Sequence, residues 1–140
     1  MPVSLDEENR VAIPRSVLTK ITQLNTDQSE AVQTELVKLA DSDYSPSNLI
    51  YKHYGDLKVF RCGGEMRVFG VILENLSYIS DFDNLVIVIH VSEHDYNQAG
   101  VQKSQARKLQ AKYGGIDSES EFYNKLDGVL LEASDLRELL

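Results

Sequence analysis

Residues Leu57 to Ile72 read LKVFRCGGEMRVFGVI. Apolar residues alternate with charged ones on both sides of Gly63-Gly64, the period of a strand with one buried face, and paired glycines supply the positive φ of a tight turn. The stretch is predicted to be a β-hairpin. Arg61 and Arg67 flank its turn, so burying one face holds two guanidinium groups within reach of each other or of one anion. Cross-strand pairing with Glu65, Glu74 or Asp95 is the structural alternative for the same side chains. A glycine pair without further glycines or a following helix is turn chemistry rather than a phosphate loop.

Upstream of the hairpin, DSDYSPSN (Asp41 to Asn48) is dense in turn formers and contains Pro46, so a loop is expected there. Before it, Asp27 and Glu30 read as a capping pair for a helix to about Ala40, on which Val32, Leu36 and Leu39 share a face. An earlier helix follows Pro14, with Val17, Leu18, Ile21 and Leu24 on one side. The short link between the two favours an antiparallel helical hairpin facing a sheet. Before Pro14, VAIP leaves room for one brief strand.

Downstream, ENLSYISDFDN breaks the strand pattern and reads as a loop over the end of the sheet. NLVIVIHVSEH, from Asn84, is β-branched almost throughout and is expected to be a central strand buried on both faces. Beyond Tyr96 the pattern turns helical. Val101, Ala106, Leu109 and Tyr113 fall on one side, Lys103, Arg107, Lys108 and Lys112 on the other, and Gly114-Gly115 ends the helix. The remainder, with Phe122, Leu126, Val129, Leu130, Leu136 and Leu139, reads as one or two amphipathic helices interrupted near Gly128 or Ser134. The order predicts an α+β fold: a mainly antiparallel sheet, an N-terminal helical hairpin packed on it, and extra C-terminal helices. Residues 1–97 form the expected core, and residues 98–140 a helical extension packed on the same single domain.

The chain has 140 residues, 42% hydrophobic and 26% charged, values that suit one self-sufficient core. Its net charge of −8 argues against a protein that simply coats nucleic acid, whose phosphates attract clustered cations. Positive charge instead concentrates in residues 97–112. The longest apolar run, Leu85 to Ile89, is far shorter than a membrane span, and the N-terminus lacks the basic-then-apolar order of a signal peptide. A cytoplasmic location without membrane contact is expected. The single cysteine, Cys62, fits a reducing compartment. His53, His90 and His94 share no ligand spacing, so no metal or other cofactor is expected. His90, inside an apolar run, is expected to be a core histidine with satisfied hydrogen bonds.

The order of elements, with L-x-V-x-R-x-G-x-x-x-R-V carried by Leu57, Val59, Arg61, Gly63, Arg67 and Val68 and then VIVIHVSEHDY from Val86 to Tyr96, resembles the RelE/ParE toxin superfamily of toxin–antitoxin systems. The resemblance covers about residues 10–97. Its RelE branch implies metal-free cleavage of mRNA on the ribosome, and its ParE branch implies inhibition of DNA gyrase. A cognate antitoxin is the implied partner.

Such RNA cleavage needs a base for a 2′-hydroxyl, cations for the charge growing on phosphate, and an acid for the leaving 5′-oxygen. Arg61 and Arg67 suit the phosphate, because a guanidinium is planar, bidentate and permanently charged. His94 can exchange a proton near neutrality, Tyr96 can donate one or stack on a base, and Glu93 is an alternative base. Lys52, Lys58, Lys103, Arg107 and Lys108 are the cations expected to steer the RNA backbone. The acidic total charge and the long segment after Tyr96 set a second expectation beside this one. A catalytically lost, non-catalytic interaction module would use its acidic C-terminal helices to bind another protein or to form a homodimer.

Overall fold

The structure, a computed structural model, describes residues 8–93 and 105–138. Its elements run β1 (Asn9–Ile13), α1 (Arg15–Thr22), α2 (Thr26–Ala40), a 3-10 turn (Pro46–Leu49), β2 (Lys52–Tyr54), β3 (Leu57–Cys62), β4 (Met66–Leu73), β5 (Asn84–Glu93), α3 (Gln105–Gly114), α4 (Glu119–Lys125), β6 (Val129–Leu131) and α5 (Ala133–Arg137). The fold is α+β. One six-stranded sheet has the order β2-β3-β4-β5-β1-β6. Most neighbours are antiparallel, but β1 runs parallel to β5, pairing Asn9 with Asn84 and Ala12 with Ile87, so the sheet is mixed.

Local chemistry explains the element starts. Pro14 is the N-cap of α1, and its carbonyl accepts from Val17 and Leu18 at 3.0 Å. The cap of α2 is Asn25, not Asp27. The Asn25 side chain accepts from the Gln28 N–H at 2.9 Å while the Gln28 side chain accepts from the Asn25 N–H at 3.4 Å. Asn caps as well as Asp does, and this start leaves Asp27 in the first turn, where its charge complements the helix dipole.

A buried polar chain ties the ends of β1 and β5 together. Asn84 donates to the Asn9 side chain at 2.9 Å, and Asn9 donates to the Asp41 and Tyr44 carbonyls at 3.0 and 2.9 Å. Pairing of this kind is what allows two amides to be buried.

The sheet buries both faces. On one, Val11, Ile13, Phe60, Cys62, Met66, Val68 and Val88 meet Val17, Ile21, Val32, Leu36, Leu39 and Leu136. On the other, Ala12, Leu85 and Ile87 meet Ile79 and Phe82 of the predicted loop together with Tyr113, Ile116 and Phe122. Ala106 of α3 covers Leu57 and Val71.

Residues 105–138 are therefore more than helices laid on a finished core. They supply β6, which pairs antiparallel with β1 through Val11–Leu131, Ala12–Leu130 and Ile13–Val129. The expected interruption near Gly128 is the turn into that strand. Gly128 has φ +90°, and a Cβ there would lie 2.1 Å from the Ile13 carbonyl oxygen, so only glycine fits.

Candidate functional site

The β3–β4 hairpin sets the site by its register. Arg61 pairs with Arg67 and Cys62 with Met66 around a turn in which Gly63 takes φ +65°. Strand alternation puts Val59, Arg61, Arg67 and Phe69 on one face and Phe60, Cys62, Met66 and Val68 on the other. The latter four enter the core beneath α2. The two arginines thus face each other directly, as their flanking positions predict.

Like charges opposed across strands repel. Here Tyr51 lies against both. Its N–H donates to the Val59 carbonyl at 2.8 Å, and its ring lies under both guanidinium groups, 5.6 Å from Arg61 and 5.0 Å from Arg67. Arg61 is exposed and donates from Nε to the Gly63 carbonyl at 3.0 Å. Arg67 is only 6% exposed and donates from Nη1 to the Met66 carbonyl at 2.8 Å. Among the described residues Arg61 forms no salt bridge with Glu65, Glu74 or any other carboxylate. Glu65 accepts from Gln28 at 2.7 Å, and Glu74 accepts from Ser47 at 3.1 Å.

The other expected site residues separate. Lys52, paired with Val59, shares the arginine face, whereas Lys58, paired with His53, belongs to the opposite one, where its Nζ lies 3.3 Å from His53 Nδ1. Glu93 pairs with Met66 and so faces away from Arg67; it touches Gln28 at 3.5 Å. As a base beside the arginines Glu93 is corrected by that register. Arg107 is bonded to Asp56 at 2.8 Å, joining α3 to the β2–β3 turn, though with the arginine side chain 80% exposed and the aspartate 47% the pair contributes little. Lys108 is exposed on α3. His94, Tyr96 and Lys103 lie outside the described residues, as does Asp95. The last described residues of β5 are Ser92, which pairs with Arg67, and Glu93.

His90 departs from its expected role. It pairs with Phe69, which places it on the arginine face, with its ring 5.8 Å from that of Phe69. Its Nε2 is buried and has no hydrogen-bond partner among the described residues. Burial, assisted by Lys20, lowers its pKa and favours the neutral imidazole. Cys62, on the core face, has its thiol pushed up to about 12, chiefly by burial and then by Glu35, which makes it a poor nucleophile.

Beside the arginine group a groove of about 420 Å³ opens between α2 and the hairpin turn, lined by Ala31, Thr34, Glu35, Lys38, Arg61 and Gly63. Burial raises the pKa of the Glu35 carboxyl, and Lys38 partly offsets the shift. Tyr51 and Lys38 escape a sequence reading because neither belongs to the hairpin motif. Their only signal is an aromatic residue and a cation outside the apolar stripes. Among the described residues no group of three or more histidine, cysteine, aspartate or glutamate side chains gathers as a metal site would require.

No protein-family model, curated protein or solved structure matches the chain. No helix among the described residues is long and apolar enough to cross a membrane.

Proposed function

We propose that this chain acts on RNA through the Arg61–Tyr51–Arg67 group, as a protein of the RelE-like toxin plan. In this reading α1 and α2 are the helical hairpin of that plan, residues to 97 are its core, and residues 98–140 are an added extension. One observation carries the reading: two guanidinium groups face each other across a hairpin, both over one aromatic ring. Such a group suits a phosphodiester, which takes bidentate hydrogen bonds from arginine while a neighbouring base stacks on tyrosine.

The chemistry follows from a cation pair at phosphate. A base removes the 2′-hydroxyl proton, the 2′-oxygen attacks the adjacent phosphorus, and the 5′-oxygen leaves with a proton, giving a 2′,3′-cyclic phosphate and a 5′-hydroxyl. Arg61 and Arg67 stabilise the charge that grows on the phosphate oxygens. His94 and Tyr96, which follow β5, carry the proton transfers in this reading. The ribosome with its mRNA is the target, and an antitoxin the partner.

A second reading is favoured by the net charge of −8 and by the Arg107–Asp56 pair, which engages one cation of the basic helix in a structural contact. It makes the chain a non-catalytic interaction module that retains the scaffold, or a gyrase inhibitor of the ParE kind. Expression in a bacterial host separates the readings. Growth arrest, with new 5′ ends on ribosome-bound mRNA, is expected from the native chain. Arg61→Ala, at an exposed position, is expected to abolish both. Folded protein that neither slows growth nor cuts mRNA contradicts the nuclease reading.

A further inference from the structure

The groove between α2 and the β3–β4 turn brings Arg61 together with three α2 residues that the hairpin motif does not include. We propose that this groove is a ribonucleotide subsite continuous with the Arg61–Tyr51–Arg67 group, in which Lys38 and Arg61 hold one phosphate from opposite walls and Glu35 accepts the 2′-hydroxyl of the adjoining ribose. The proposal rests on the RNA reading above and names the path of the strand beyond Arg61.

The walls come from different elements. Ala31, Thr34, Glu35 and Lys38 recur along one stripe of α2, while Arg61 and Gly63 close the other side. The volume of about 420 Å³ lies within the range of small-ligand pockets, roughly 300–1,000 Å³. A Cβ on Gly63 would already touch the Ala31 Cβ at 3.5 Å, so small residues keep this part of the groove open. Two cations face one carboxyl. Among the described residues neither Lys38 nor Arg61 is held in a salt bridge. Thr34 already donates to the Glu30 carbonyl at 2.8 Å, which leaves Glu35 as the wall's stronger acceptor.

The surface continues beyond Lys38. A second hollow of about 380 Å³ shares Thr34 and Lys38 with the first and reaches Tyr44. Tyr44 and Tyr51 are two of the three most exposed large apolar side chains among the described residues, at 42% and 47%. Tyr51, Arg61, Lys38 and Tyr44 thus give a ring, two cations and a second ring along one surface. Alternating stacking platforms and cations are what a single strand of nucleic acid requires, and the 2′-hydroxyl is what separates RNA from DNA.

The test is fluorescence anisotropy with a short labelled single-stranded RNA and the DNA of the same sequence, circular dichroism checking each variant's fold. The native chain is expected to bind RNA more tightly than DNA. Lys38→Ala should weaken both by about tenfold and lower the salt slope of RNA binding by about 0.7, the loss of one phosphate contact. Glu35→Ala should leave DNA affinity in place and reduce RNA affinity to the same level. If Arg61→Ala weakens RNA binding and Lys38→Ala does not, the groove assignment is overturned and the RNA reading stands. Binding of neither strand by the native chain overturns the RNA reading itself. Equal affinity of the native chain for RNA and DNA overturns the role of Glu35.

Discussion

Tyr51 lies under two arginines whose strand positions alone would set like charges against each other. The exposed Arg61 gains about 0.5–1 kcal/mol over its ring and the buried Arg67 up to about 2 kcal/mol, enough to offset the cross-strand repulsion. The sequence displays the arginines because they flank a turn. It hides the tyrosine, whose place follows from one backbone hydrogen bond to Val59. His90 was misread for a related reason: an apolar run marks burial, but whether an imidazole finds a partner depends on neighbours that no local pattern encodes. Its orphaned Nε2 and lowered pKa make a pH prediction. The unfolded chain keeps a histidine value of about 6.5 and therefore binds more protons than the folded chain below that pH. The contribution of His90 is intact above about pH 6.5 and is lost as pH falls toward the lower folded value. In urea titrations, His90→Asn should lose less stability between pH 7 and pH 5 than the native chain does. An identical decline in both would refute the role given to His90.

At the scale of elements, alternation and a glycine pair were sufficient for the β3–β4 hairpin, and helical spacing for α1 and α2, because these signals lie within a few residues of the contacts they report. The parallel pairing of β1 with β5 joins segments far apart in the chain without any turn between them, so nothing local announces it. β6 was absorbed into a helical pattern since Val129-Leu130-Leu131 is too short a run for its period to be told from that of a helix. Gly128 was the legible clue, though to a helix break rather than to a strand. Its positive φ and the approach of the Ile13 carbonyl predict that Gly128→Ala destabilises the protein by at least about 2 kcal/mol, read as a lower urea midpoint at unchanged m. A midpoint within error of the native value would mean that β6 does not dock on β1 as described.

For the molecule as a whole, the extension is structural on both faces of the sheet. Phe122 and Leu136 are fully buried on opposite sides, β6 pairs with β1, and Arg10 of β1 reaches Glu132 at 3.3 Å. Truncation after Tyr113 should therefore unfold the domain. A cooperative melt retained by that fragment in circular dichroism would contradict this. The order of helical and strand patterns made the α+β class legible, and the net charge of −8 directs the RNA proposal to a local group of cations rather than to a basic surface. Which cations share a face was not legible, because strand register separates Lys52 from Lys58 and a salt bridge engages Arg107. The central claim is that Arg61 binds an RNA phosphate, and the salt dependence of single-stranded RNA affinity tests it most directly. The native chain should show a linear fall of log affinity with log salt, and Arg61→Ala a slope smaller by about 0.7 with the fold unchanged. A native chain with no measurable RNA affinity, or a variant with the native slope, would contradict the claim.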